Sequence, residues 1–155
     1  MNFDDSFVRL IGHEGGYVND KRDRGQETKF GISSRAYPSV DIRALTLEEA
    51  KLIYLRDYWG PAGCDAVPDA IKFDLFDMAV NSGIRPAIKM LQRTVQTIED
   101  GVLGPLTLQA LNSMDKVRLA VHYNANRLSY YTVLSDWQVF GKGWARRIVS
   151  NLKEI

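Results

Sequence analysis

DAIKFDLFDMAVNS, residues 69–82, is more than half apolar side chains in a stretch whose composition favours a helix. Ile71, Phe73, Leu75, Phe76, Met78, Ala79 and Val80 make the stretch too apolar for a surface helix, so it is expected at the centre of the protein. Asp74 and Asp77 interrupt the apolar surface. A buried carboxylate has to be paired, so both aspartates predict polar partners brought from elsewhere in the chain. Gly83 closes the segment, as glycine commonly closes helices. The stretch reads as the central helix of a mainly helical fold.

The flanking segments agree. On the N-terminal side, residues 4–13 have Phe7, Leu10 and Ile11 at helical spacing, with Asp4 or Asp5 as cap. Residues 46–59, TLEEAKLIYLRDYW, open with Thr46 and Glu49 in capping-box spacing and stop at Gly60-Pro61. Between them, residues 15–33 are rich in Gly, Asp and Asn, which predicts a small hairpin or loop sheet. On the C-terminal side, helices are expected over 86–97, 105–112, 115–134 and 141–154. No linker separates the halves near residue 85, so residues 1–85 and 86–155 are expected to pack as one domain. Ile88, Leu91 and Val95 need apolar partners, which Phe73, Phe76 and Val80 can provide.

Composition sets limits on function. The 155 residues suit one ordinary domain. Twenty Lys+Arg against 19 Asp+Glu give a net charge of +1 and no electrostatic footprint for nucleic acid. One cysteine, Cys64, and two histidines leave little for a structural zinc site or an internal disulfide, and no metal or cofactor is expected. No apolar run approaches the ~20 residues of a membrane span, and MNFDDSFVRL lacks the pattern of a signal peptide. Synthesis and folding in the cytoplasm, as a monomer, are the expectation.

Carboxylates gather at HEGGYVNDKRDRGQETKFGIS, residues 13–33. Glu14 is placed near the end of the first predicted helix, before Gly15-Gly16. There the helix dipole disfavours an anion, and burial against Tyr17 or Phe30 would also raise its pKa. That is the physics of a general acid for glycosidic cleavage, which needs a proton donor beside the leaving oxygen and a second polar group opposite. From spacing alone, a surface glutamate before a glycine cap reads equally well.

Residues 14–20 (EGGYVND), Asp23-Arg24-Gly25 and residues 28–33 (TKFGIS) closely resemble the opening of the family 108 glycoside hydrolases, bacterial and phage N-acetylmuramidases of the lysozyme-like superfamily. The resemblance continues through Asp57-Tyr58-Trp59 and residues 77–83. From residue 86 onward, residues 100–105 (DGVLGP), Thr107, Gly143-Trp144 and Arg147 resemble the companion peptidoglycan-binding segment. It implies a lysozyme-like fold of two lobes with the small sheet beside an active-site cleft, 1–85 being catalytic and 86–155 wall-binding. It implies Glu14 as the catalytic acid, with Asp23, Asp20 and Thr28 as assisting residues. The chain departs from the family at Lys21, Arg24 and Gln26, where two prolines and a second glycine are common. The second carboxylate therefore stays open between Asp23, favoured for its spacing from Glu14, and Asp20.

Four further residues are candidates for holding sugar. Tyr17 borders the acid. Asn81 could bond an N-acetyl group or simply close its helix. Tyr58 and Trp59 could stack on a sugar ring or follow the apolar stripe into the core. The C-terminal stripe Trp144, Ile148, Leu152 could touch a membrane or dock on the core. The implied activity is hydrolysis of the β-1,4 bond between N-acetylmuramic acid and N-acetylglucosamine. An endolysin is expected, acting on peptidoglycan after release by a holin or an export system. A lytic transglycosylase and a non-catalytic wall-binding module are the alternatives.

Overall fold

A computed structural model describes residues 1–12, 18–19 and 27–155. The chain divides into two compact units, Phe3–Asp57 and Tyr58–Ile155, the latter joined by Met1 and Asn2.

In the first unit, α1 (Phe3–Ile11) ends two residues before its expected limit, because Gly12 takes a left-handed φ of +58°. Phe7 meets Tyr54 edge-on at 5.6 Å. The polar segment forms a three-stranded antiparallel sheet, β1 (Val18–Asn19), β2 (Glu27–Lys29) and β3 (Ile32–Ser33), in sequence order. Lys29 faces Ile32 across a two-residue turn in which Phe30 and Gly31 both have positive φ, +52° and +75°. The mirror-image turn suits a twisted hairpin, at the cost of a phenylalanine in a region that disfavours side chains. Tyr54 clamps it: its hydroxyl donates to the Phe30 carbonyl at 3.1 Å and lies where a Cβ on residue 31 would sit.

Helix α2 (Leu47–Tyr54) carries the expected capping box. Thr46 Oγ1 accepts from the Glu49 N–H at 3.2 Å, and the Glu49 carboxylate accepts from the Thr46 N–H at 2.8 Å. The helix does not run regularly to residue 59 as expected; it widens into a π turn over Leu55–Trp59.

In the second unit α3 (Asp69–Ser82) is the centre. Helices α4 (Ile84–Thr94) and α6 (Lys116–Thr132) pack on it, α5 (Pro105–Ser113) contacts α4, and α7 (Trp137–Leu152) packs along α6. Helix α7 starts four residues before the expected 141 and passes through Gly141, which is buried and leaves room for the Trp137 ring. Trp144 stacks on Tyr131 at 5.0 Å and Ile148 is buried, so these two residues of the C-terminal stripe dock on protein, while Leu152 is exposed.

The partners that Asp74 and Asp77 require come from α6 and α7. Asp74 accepts from Asn124 at 2.9 Å, Asn151 at 2.7 Å and Arg127 at 3.4 Å. Asp77, fully buried, accepts from Arg127 at 2.5 Å, from Asn151 at 3.3 Å and from Arg147. Burial works to lower the Arg127 pKa, but the charge of Asp77 leads the opposing influences, and the guanidinium is held above its ordinary value. Two aspartates are thus balanced by two arginines, as a low-dielectric interior demands.

Candidate active site and wall-binding elements

Of the predicted catalytic residues, Glu14, Asp20 and Asp23 lie outside the described residues, as does Tyr17. Thr28 is placed at the centre of the sheet, with Val18 and Ser33 as its neighbours on the flanking strands. Its neighbours along the strand both reach one segment. Glu27 accepts from Arg43 Nε at 2.7 Å, and Lys29 Nζ donates to the Arg43 carbonyl at 3.0 Å. Side chains alternate across a strand, so Thr28 points to the opposite face of the sheet. Glu27 is held in an ion pair with Arg43.

At the end of the first unit Asp57 is enclosed by Arg56, which donates at 2.6 and 2.7 Å, and by the Tyr37 hydroxyl at 2.9 Å. The bond from Arg56 is the chief reason its carboxyl sits below the ordinary range, with the Tyr37 bond adding to it against the effect of burial. Asp57 is therefore an anchored anion. Tyr58 is half-buried. Trp59 corrects one expectation: it is 1% exposed and meets Phe76 edge-on at 5.4 Å, so its ring fills the core and has no free face for a sugar. Of the two readings open to Trp59, the core is the one the structure shows, at the end of the π turn.

Asn81 is exposed in the last turn of α3. Its Nδ2 donates to the Asp77 carbonyl at 2.7 Å and to Asp77 Oδ1 at 3.2 Å. The amide is thereby oriented, and Oδ1 is left as an acceptor with no partner among the described residues. The chemistry fits an N–H or hydroxyl donor, and the aspartate that aims the amide is itself fixed by Arg127 and Arg147.

The 100–105 motif turns out to be internally engaged. Gln92, 1% exposed, donates to Asp100 Oδ1 at 2.6 Å and to the Val102 carbonyl at 3.0 Å, and accepts from the Gly101 N–H at 2.8 Å. Asp100 also accepts from the Val102 N–H at 2.9 Å. These bonds hold the α4–α5 loop in shape. Cys64 is buried, and burial pushes its thiol up to about 12, a value that keeps it protonated and poorly nucleophilic.

Comparison with known proteins gives these residues a context. Residues 7–83 match the family described as Glycosyl hydrolase 108, and residues 86–149 match the one described as Predicted Peptidoglycan domain. No curated protein matches the chain. Chains of solved structures do, among them SagA of Brucella abortus, at 31% identity and a TM-score of 0.87 over 98% of this chain and 92% of that one. The chain belongs to the glycosyl hydrolase 108 family: it is a mainly helical glycoside hydrolase with a peptidoglycan domain, and its role is in hydrolysing or binding cell-wall peptidoglycan.

Proposed function

We propose that the protein is an N-acetylmuramidase that hydrolyses the β-1,4 bond between N-acetylmuramic acid and N-acetylglucosamine, with Glu14 as general acid. One observation carries this reading: the Glu14-Gly15-Gly16-Tyr17 block falls inside the 7–83 match to glycosyl hydrolase 108. Glu14 protonates the leaving oxygen. A carboxylate, Asp23 in preference to Asp20, directs the water, and Thr28 assists from the sheet. Tyr17, Tyr58 and Asn81 hold the glycan. The catalytic segment is 1–85 and the wall-binding segment 86–155.

Mass spectrometry of the products from purified wall tests the reaction. Muropeptides with reducing N-acetylmuramic acid ends are expected. Anhydro-muropeptides would assign a lytic transglycosylase instead, and an undigested wall would assign a binding module.

The two loop aspartates separate by substitution. Asp23→Asn should lower turnover by ~10²-fold or more, the range for loss of a group assisting proton transfer. Asp20→Asn should have a smaller effect, with both variants keeping the wild-type melting temperature. Loss confined to Asp20→Asn would reverse the assignment.

The proposed setting is lysis of a bacterial host by an endolysin that is made in the cytoplasm and reaches the wall through a holin or an export route. Among the described residues no helix is long and apolar enough to cross a membrane. Expression in a Gram-negative host should cause little lysis until chloroform opens the membrane, then a rapid fall in optical density; lysis without chloroform would overturn this route.

A further inference from the structure

Apart from the residues assigned to the reaction, the second unit has a cavity of about 390 Å³ between the end of α4, the end of α5 and the start of α6. Val95, Ala110 and Met114 give it apolar lining, and Gln96, Arg118 and His122 bring polar groups to it.

Arg118 and His122 lie four residues apart on α6, so they share one face. No carboxylate pairs with either side chain among the described residues. The nearest acid in sequence, Asp115, is used as the α6 cap, accepting from the Arg118 backbone N–H at 2.8 Å.

Gln96 is a second unusual feature. Helix α4 ends in a Schellman arrangement: the Gln96 N–H donates to the Arg93 carbonyl at 3.3 Å, and the Thr97 N–H to the Gln92 carbonyl at 2.9 Å. Gln96 occupies the left-handed position of that motif, with φ +58°. Glycine takes this position at lower cost. Its side-chain amide has no partner among the described residues. By contrast, the two hydroxyls at the cavity are engaged. Thr94 Oγ1 donates to the Met90 carbonyl at 2.7 Å and accepts from Asn126 at 2.9 Å, and Ser113 Oγ donates to the Gln109 carbonyl at 2.9 Å.

A guanidinium, an imidazole and an amide, all solvent-exposed and set beside apolar lining, match a carboxylate attached to small apolar groups. We infer that this cavity binds the carboxylate end of a short peptide with small side chains, of the kind that branches from the wall glycan. The inference rests on the reading of peptidoglycan as substrate and extends it from the glycan to the peptide. Arg118 pairs with the carboxylate, His122 and Gln96 bond its flanking amide, and Val95, Ala110 and Met114 take the methyl groups.

Titration of the whole protein with the synthetic pentapeptide L-Ala-γ-D-Glu-L-Lys-D-Ala-D-Ala, followed by NMR, tests it. Saturable shifts at the Met114 methyl and the His122 ring are expected. The C-terminal amide of the same peptide should bind roughly tenfold more weakly, the scale of one charge-assisted hydrogen bond, and so should Arg118→Ala with the free acid. Gln96→Gly should bind more weakly yet melt at a higher temperature, opposite changes that a purely structural glutamine would not produce. Absence of shifts, equal binding of acid and amide, or equal shifts from inorganic phosphate would overturn the inference. The titration involves no bond cleavage, so it can succeed where product analysis fails. Reducing muropeptides in the absence of peptide binding would sink this inference alone.

Discussion

Glu14→Gln should slow the clearing of purified cell wall by at least ~100-fold, the usual contribution of a general acid. The substitution keeps the size and hydrogen-bonding capacity of the side chain and removes only the transferable proton. Each tenfold loss of rate corresponds to about 1.4 kcal/mol of transition-state stabilisation, so the expected effect is about 3 kcal/mol or more. The fold should be untouched. Circular dichroism and the melting temperature should match the wild type, and binding to insoluble wall should persist. Clearance within a few-fold of wild type would remove Glu14 from the mechanism. Among the described carboxylates, Glu27 is paired with Arg43, and Asp57 is held by Arg56 and Tyr37.

Arg127→Met should have the largest effect on stability. The side chain is fully buried and donates to both Asp77 and Asp74. Methionine fills much of the same volume but leaves the two carboxylates with only Arg147, whose own side chain is 39% exposed, and neutral amides. Removing one partner of a buried ion pair costs about 3–5 kcal/mol, because the remaining charge stays desolvated. A protein of this size holds a total of only ~5–15 kcal/mol, so the variant should melt about 10 °C lower or fail to accumulate. Arg93→Met is the matched control. Arg93 bonds Glu99 at 2.9 and 2.7 Å, but on the surface, where such pairs contribute about 0–1 kcal/mol. Urea denaturation of both variants reads the contrast. A loss of under 1 kcal/mol for Arg127→Met would show that the cluster is not a stabilising element.

The same cluster bears on the joining of the halves. Asp74 and Asp77 lie in the 7–83 match, whereas Arg127 and Arg147 lie in the 86–149 match. A fragment ending at residue 85 would strand both carboxylates and uncover the α3 surface on which α4 and α6 pack. It should be insoluble or molten and inactive. A soluble, cooperatively folding and active 1–85 fragment would overturn that expectation.

Local pattern determined much of this protein. The high apolar content of residues 69–82 marked the central helix, Thr46 and Glu49 marked a helix start, and the Gly/Asp/Asn-rich segment marked the sheet. Each depends on residues within a few positions of one another, where spacing translates directly into geometry. The need for partners at Asp74 and Asp77 was equally legible, since desolvation of a carboxylate is costly in any fold. Which residues would answer was not. Arg127, Arg147 and Asn151 lie 50 to 77 positions away along the chain, and no local spacing connects them to α3. Trp59 shows the same limit. Its place in the stripe suited both core and sugar stacking, and packing against the Phe76 ring decided for the core. Gln96, Arg118 and His122 belong to two helix ends that meet only after packing. Sequence thus determined which segments are helical and which charges demand company; tertiary structure alone chose the company, because burial and pairing are properties of surfaces brought together from distant parts of the chain.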